Sequence, residues 1–328
     1  MLSYIVKRIL FMIPTLIAIS VVAFILIQLP PGDFVTSLAA SASAAGNTVD
    51  PTTLAQMRHQ YGLDQPIWVQ YWIWISKIVF QGDFGRSFDW KAPVSDLLWN
   101  RLGLTFVLSF TALVFTWIIA FPVGIYSAVR KYSIGDYFAT FLAFVGLAVP
   151  NFVLALILMY ISLRFFNMSV GGLFSPQFED APWSPEKVYD LAQHMIIPVI
   201  VLSGSGIASL VRIMRANLLD ELYRPYVVTA RAKGLSEWRL ILRYPVRAAL
   251  NPFVSTIGWA LPELVSGATV TAIVLNLPTT GPLLLRALIS QDVYLAGSMI
   301  LMLSVLTVIG TLISDLLLAW LDPRIRFR

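Results

Sequence analysis

Few residues in this chain have types and spacings fit for chemistry, and the densest group is basic. Residues 229–245, TARAKGLSEWRLILRYP, hold Arg231, Lys233, Arg239 and Arg243. Fixed cations at that density attract an acidic partner or an anionic lipid surface rather than making or breaking bonds. Nucleophilic catalysis needs a hydroxyl with a base in reach, and Ser203, Ser205 and Asp315 show no such spacing. The SGSG run at 203–206 suits close helix packing instead. The chain has no cysteine, which removes thiolate metal sites and any disulfide framework. Its two histidines, His59 and His194, are far apart and fit loop or interfacial positions better than a metal site. No G-x-x-x-x-G-K-[ST] phosphate loop occurs, so no ATP cradle of the usual kind and no catalytic residue is expected here. One carboxylate stands apart: Glu263 is the only charge between residues 248 and 285, and ionisable groups at membrane depth are often functional.

These residues must be positioned by membrane helices. Hydrophobic residues make up 58% of the 328 and charged ones only 12%, about half the charge of a soluble domain. Between Arg8 and Asp33 lie 24 uncharged residues, too long for a signal peptide core and therefore read as an uncleaved anchor. Uncharged stretches recur at 102–129, 137–163, 195–211, 248–285 (apart from Glu263) and 293–314, giving six spans. The fourth is short, but Arg212 can extend its aliphatic stem to the headgroups and lengthen it. Residues 33–101 interleave Trp and Tyr with polar groups, as short helices at a membrane interface do. Six crossings place both termini on one side, which carries 15 of the 23 basic residues; the other side carries eight, with 11 of the 18 acidic ones. By the positive-inside rule the termini and residues 212–247 are cytoplasmic. The net charge of +5 thus reflects topology and not nucleic-acid binding.

Within the basic stretch, Pro225 suits the first position of a helix and Gly234 the left-handed position after its end, which predicts a helix from about Pro225 to Lys233. Arg231 and Lys233 fall in its last turn, where cations complement the helix dipole. Ser236 is placed to cap a second helix with Glu237 in its first turn, and Leu235, Trp238, Ile241 and Leu242 are spaced for one apolar face. Two readings stay open: an amphipathic hairpin resting on the inner leaflet, or a docking surface for a cytoplasmic partner.

The stretch resembles the peptide-transporter version of the EAA loop in permease subunits of ATP-binding-cassette (ABC) importers, above all the oligopeptide and dipeptide permease family. YGLDQPIWVQY at 61–71, GDFGRSF at 82–88, VPNF at 149–152, RPYVVTARAKGLSEWRLILR at 224–243 and LDPRIRFR at 321–328 are similar to that family's landmarks, in its order. The general loop pattern opens with Glu six residues before the glycine; Val228 stands there, and only Ala230 and Gly234 are retained clearly, as in the peptide branch.

The resemblance implies an all-α polytopic membrane protein with six transmembrane helices, the type I importer permease fold, and cytoplasmic N and C termini. Residues 1–100 would form an N-terminal transmembrane helix and periplasmic loop. Residues 101–319 would form a five-helix permease core with a coupling loop at about 215–247, and 320–328 a cytoplasmic tail. The ATPase-docking residues would be Thr229, Ala230, Arg231, Ala232, Lys233, Gly234, Leu235, Trp238, Arg239 and Arg243. The chain itself would not be an enzyme and would hold no cofactor or metal, ATP and Mg being bound by partner ATPase subunits. Implied partners are a second permease subunit, two cytoplasmic ATPase subunits or a fused equivalent, and a periplasmic substrate-binding protein, in a bacterial inner membrane. Peptides are the default substrate, with nickel chelates, opines or oligosaccharides as alternatives within the family; an ion-coupled transporter using Glu263 is the rival class.

The charge asymmetry makes a prediction: reporter fusions near Asp64 and Pro182 will report the external face and a fusion at Ser236 the cytoplasm. Labelling of Ser236 by a membrane-impermeant reagent added outside would overturn this topology.

Overall fold

A backbone in hydrocarbon finds no water to bond with, so a spanning chain must close its hydrogen bonds internally. The computed structural model describes residues 2–46, 50–166, 171–179, 181–250, 253 and 269–321, and these are overwhelmingly helical, with one isolated β-bridge between Arg86 and Pro93. The first helices are α1 (Leu2–Gln28), α2 (Phe34–Ala44), α3 (Pro51–Tyr61), α4 (Ile67–Ser76, running on as a π turn over Lys77–Gln81) and α5 (Val94–Val129). Then come α6 (Ile134–Ala148), α7 (Asn151–Phe166), α8 (Pro185–Leu222), α9 (Pro225–Ala232), α10 (Glu237–Arg243) and α11 (Pro245–Ala249). The described chain closes with α12 (Thr269–Val274), α13 (Thr280–Ile289) and α14 (Val293–Leu321).

Four described helical segments are long and apolar enough to cross a membrane: Leu10–Gln28 in α1, α5, α8, and Val293–Ile313 in α14. Large apolar side chains stand exposed along them, among them Phe11 and Ile17 on α1 and Phe106 and Ile118 on α5. That outward face would be an aggregation-prone patch in water and is the ordinary surface of a helix in lipid. The chain is a polytopic all-α membrane protein.

Two expected spans take a different form. The stretch 137–163 is not one straight helix: α6 and α7 meet at an angle of 103°. Pro150 causes the break, because it has no N–H to continue the ladder and disfavours helical backbone at Val149, which is extended at ψ 119°. The short stretch 195–211 is the middle of α8, whose 38 residues continue past its flanking charges at both ends. Residues 251–252 and 254–268, including Glu263, lie outside the described residues, as does all of the landmark at 321–328 except Leu321.

The chain divides into two compact units, residues 1–104 with 279–309 and residues 105–278 with 310–328. In the first unit α1 packs on α4 through Phe24, which meets the rings of Tyr71 at 5.5 Å and Trp74 at 5.7 Å. Ser20 Oγ and Tyr71 Oη lie 2.9 Å apart, and Gln28 Nε2 donates to Gln70 Oε1 at 3.0 Å, so the polar groups of this seam meet each other. Asp33 caps α2 by accepting from Thr36 N at 2.7 Å and binds Arg58 Nε of α3 at 2.8 Å.

The GDFGRSF segment is held by Asp292, the fully buried residue preceding α14. Its Oδ2 accepts from Ser87 Oγ at 2.6 Å, Phe88 N at 2.7 Å and Asp89 N at 3.2 Å, and its Oδ1 accepts from Leu295 N at 3.1 Å. Phe88 then enters an aromatic cluster with Phe34, Tyr61 and Tyr294. Gly85 has a positive φ of 80°, and a Cβ there would lie 2.6 Å from the Tyr294 ring, so the segment can approach α14 only with glycine at that position.

Asp292→Ala strips four donors of their acceptor at a site closed to water. At about 1–3 kcal/mol for each buried donor left unpaired, the variant is expected to lose several kcal/mol of local stability. Faster proteolysis between Gly82 and Lys91 in detergent-solubilised protein checks this, and cleavage at the native rate would contradict it.

Candidate coupling surface

In the second unit the close packing of α8 creates the site's foundation. A Cβ on Gly124 of α5 would lie 2.7 Å from Met214 Cβ, one on Gly146 of α6 3.3 Å from Ala208 Cβ, and one on Gly206 3.3 Å from Thr116 Cγ2. Small residues thus let α5, α6 and α8 meet backbone to backbone, the role the sequence gives to the SGSG run.

At one end of this seam Arg215 of α8 grips Asp136 of α6 with a two-pronged contact, Nε to Oδ1 and Nη2 to Oδ2, both at 2.8 Å. The same carboxylate accepts from Ser127 Oγ of α5 and from Tyr132 N at 2.8 Å in the turn between α5 and α6. Asp136 is buried and Arg215 only partly so. Sequence reasoning passed over this pair because its members stand 79 positions apart and each reads singly as a loop-side charge.

Beyond Leu222 the chain turns at Tyr223 and enters α9 with Pro225 in the first turn, as expected. Lys233 N donates to Thr229 O at 3.1 Å and Gly234 N to Arg231 O at 3.0 Å, and Gly234 takes the left-handed conformation with φ 77°. The expected helix, stop and bend are all present. Nothing lies within 4 Å of a Cβ built on Gly234, so the demand for glycine comes from its backbone angle and not from crowding within the chain.

Arg231 and Glu237 form an ion pair across that bend, with a second contact from Nη2 to Oε2 at 3.2 Å. The Arg231 guanidinium holds the Glu237 carboxyl below the usual carboxylate range. Because the folded value is depressed, this contribution is present at neutral pH and is lost as pH falls through the lowered value. Ser236 occupies the cap position of α10, but its hydroxyl makes no capping hydrogen bond there, contrary to the expectation.

The predicted apolar stripe also needs correction. Leu240 and Ile241 are buried and Leu235 is half-buried, whereas Trp238 and Leu242 are exposed. At about 100° per residue, positions 238 and 242 each lie about 200° from 240, so a seven-residue helix that buries Leu240 must turn both outward. The buried side of α9, α10 and α11 forms one core with α5 and α8, in which Val227, Ala230, Leu240, Ile241 and Val246 meet Ala128, Met214 and Leu218. Of the ten residues assigned to docking, Ala230 and Leu235 belong to this inner packing. Thr229, Arg231, Ala232, Lys233, Gly234, Trp238, Arg239 and Arg243 are exposed together on the other side.

The apolar helices α5 and α8 thus carry a basic two-helix loop packed on them. Residues 120–327 match the family described as binding-protein-dependent transport system inner membrane component, and residues 1–109 match the N-terminal part of such membrane components. The chain belongs to that family and is an integral inner-membrane protein, a permease subunit of the ABC importer class. It is 35% identical to the oligopeptide transport system permease protein AppB of Bacillus subtilis over the full length of both chains. It is 33% and 32% identical, again end to end, to the glutathione transport system permease proteins GsiC of Escherichia coli K12 and Salmonella typhimurium.

Removing one member of the Asp136–Arg215 pair leaves the other charge uncompensated at a largely dry site. Asp136→Ala is therefore expected to cost about 3–5 kcal/mol, read from thermal unfolding in detergent. The double variant Asp136→Leu with Arg215→Met should recover part of that loss. A double variant as unstable as the sum of its parts would show that the two charges do not act as a pair.

Proposed function

We propose that this chain forms half of the translocation pathway of a bacterial importer for di- or oligopeptides, and that α9 and α10 seat on a cytoplasmic ATPase subunit. A second permease, two ATPase subunits or a fused equivalent, and a periplasmic binding protein complete the machine. ATP and Mg are bound by the ATPases, whose closure drives alternating access, opening the outer side to substrate delivered by the binding protein. The two-unit helical chain serves as a six-span permease with both termini in the cytoplasm.

End-to-end similarity to permeases of oligopeptide and glutathione systems carries the substrate class. For the coupling role, the observation that carries the reading is the direction of the apolar side chains. A hairpin resting on lipid would turn its apolar face to the acyl chains. Here Leu240 and Ile241 are packed into one core with α5 and α8, and the outward side sets Trp238 and Leu242 among exposed bases. Trp238, a large exposed aromatic in a segment that also exposes Arg231, Arg239 and Arg243, has the character of an interface anchor.

Two substitutions at Gly234 separate the backbone from the surface. Asn tolerates positive φ whereas a β-branched side chain does not, so Gly234→Asn keeps the bend and adds only a side chain on the exposed face. Both Gly234→Asn and Gly234→Val are expected to lower substrate-stimulated ATP hydrolysis and uptake together in reconstituted vesicles, Val the more strongly. Insertion and pairing with the second permease should persist. Near-native uptake and hydrolysis in both variants would remove the coupling assignment.

A further inference from the structure

A cavity of about 220 Å³ lies between α6 and α8, and none of the roles above uses it. On one wall α6 contributes Thr140, Ala143, Phe144 and Leu147, which share a face by their spacing. On the other α8 brings Val211 and Ala216 with two arginines, Arg212 and Arg215. The polar groups are almost all committed. Thr140 Oγ1 donates to Asp136 Oδ1 at 3.4 Å, and Arg215 is bound twice to the same carboxylate. Arg212 is exposed and makes no hydrogen bond or ion pair among the described residues.

Among the described residues the groove therefore offers one uncommitted cation at the rim of an apolar trough. We propose that it is a binding site for an anionic phospholipid of the leaflet facing the basic loops, the phosphate on Arg212 and an acyl chain against Phe144 and Leu147. Basic pockets between membrane helices on the positively charged side select such headgroups. A peptide in transit does not suit the trough, because its N–H and C=O groups would lie unpaired against apolar walls. The volume also falls below the roughly 300–1,000 Å³ of pockets that enclose a small-molecule ligand, while an acyl chain needs only a channel.

The level of the site agrees with that occupant. Arg215 pairs with Asp136 in the first turn of α6, and Arg212 lies three residues deeper along α8, about 4.5 Å. Its aliphatic stem can run back toward the headgroups while the trough beneath it, about 10 Å along α6 from Thr140 to Leu147, stays in hydrocarbon. This inference is independent of the coupling role and of the substrate.

The test uses the full chain in its assembled complex, held in lipid discs of phosphatidylcholine with a minor fraction of phosphatidylglycerol, and counts retained phospholipid by native mass spectrometry. Native protein should retain phosphatidylglycerol well above its share of the bilayer. Arg212→Gln should lower that retention about fivefold, as expected for one lost basic contact, while Arg212→Lys keeps most of it. Ala143→Phe, which fills the trough and leaves Arg212 in place, should lower it as well, and Arg239→Gln on the coupling surface should leave it unchanged. Equal retention in Arg212→Gln and native protein would overturn the proposal. A photoreactive residue replacing Phe144 provides a readout that does not depend on those variants assembling. Its crosslinking to phospholipid is expected, and crosslinking to a second protein chain or to a transported peptide would overturn the site.

Discussion

One buried carboxylate fixes how α5, α6 and α8 meet in the second unit. Asp136 collects Ser127 from the end of α5, the backbone of Tyr132 in the turn, and both prongs of Arg215 from α8. In a medium with little water a charge is retained only if its partners are supplied by the protein, so these elements are constrained to one arrangement. The consequence reaches further than the pair. Met214 and Leu218 lie on either side of Arg215 along α8 and form the floor on which α9 and α10 rest, so these two helices inherit their orientation from this contact.

The first unit uses the same device for a different purpose. GDFGRSF leaves helical geometry after Asp83, and Asp292 gathers the N–H groups of Phe88 and the following Asp89 together with the Ser87 hydroxyl while also capping α14. Burial pushes the Asp292 carboxyl up, and the hydrogen bonds it accepts act in the opposite direction. Two acids, one in each unit, thus serve as internal solvent where the backbone leaves helical geometry. Local hydrogen bonding accounts for both without any catalytic role.

What the sequence shows and what it hides follow from range. Pro225 and Gly234 act on their own backbone, so the helix, its end and the positive φ of Gly234 are legible from single positions. Long uncharged runs are legible because the bilayer filters by composition alone. The bend at Val149 and Pro150 was signalled by the proline, yet the uncharged run across it reads as one span. Pairings across space were not legible: Asp136 with Arg215 and Asp292 with the 87–89 backbone join residues that no local period connects. The outward turn of Trp238 and Leu242 was missed for a related reason. A two-turn helix has too few positions for periodicity to choose its buried side, and contact with α8 and α11 chooses it instead.

The two sides of α9 and α10 can therefore be assigned by contrast. Their inner side is close-packed, and an interior of that density transmits displacement rather than absorbing it. Their outer side carries Thr229, Lys233, Trp238 and Arg239 without a covering element among the described residues. The Arg231–Glu237 pair and the left-handed Gly234 hold the angle between the two helices, so a push on one is shared by the other. A displacement imposed at the exposed face would pass through Val227, Leu240 and Ile241 to Met214 and Leu218, and so into the inner end of α8.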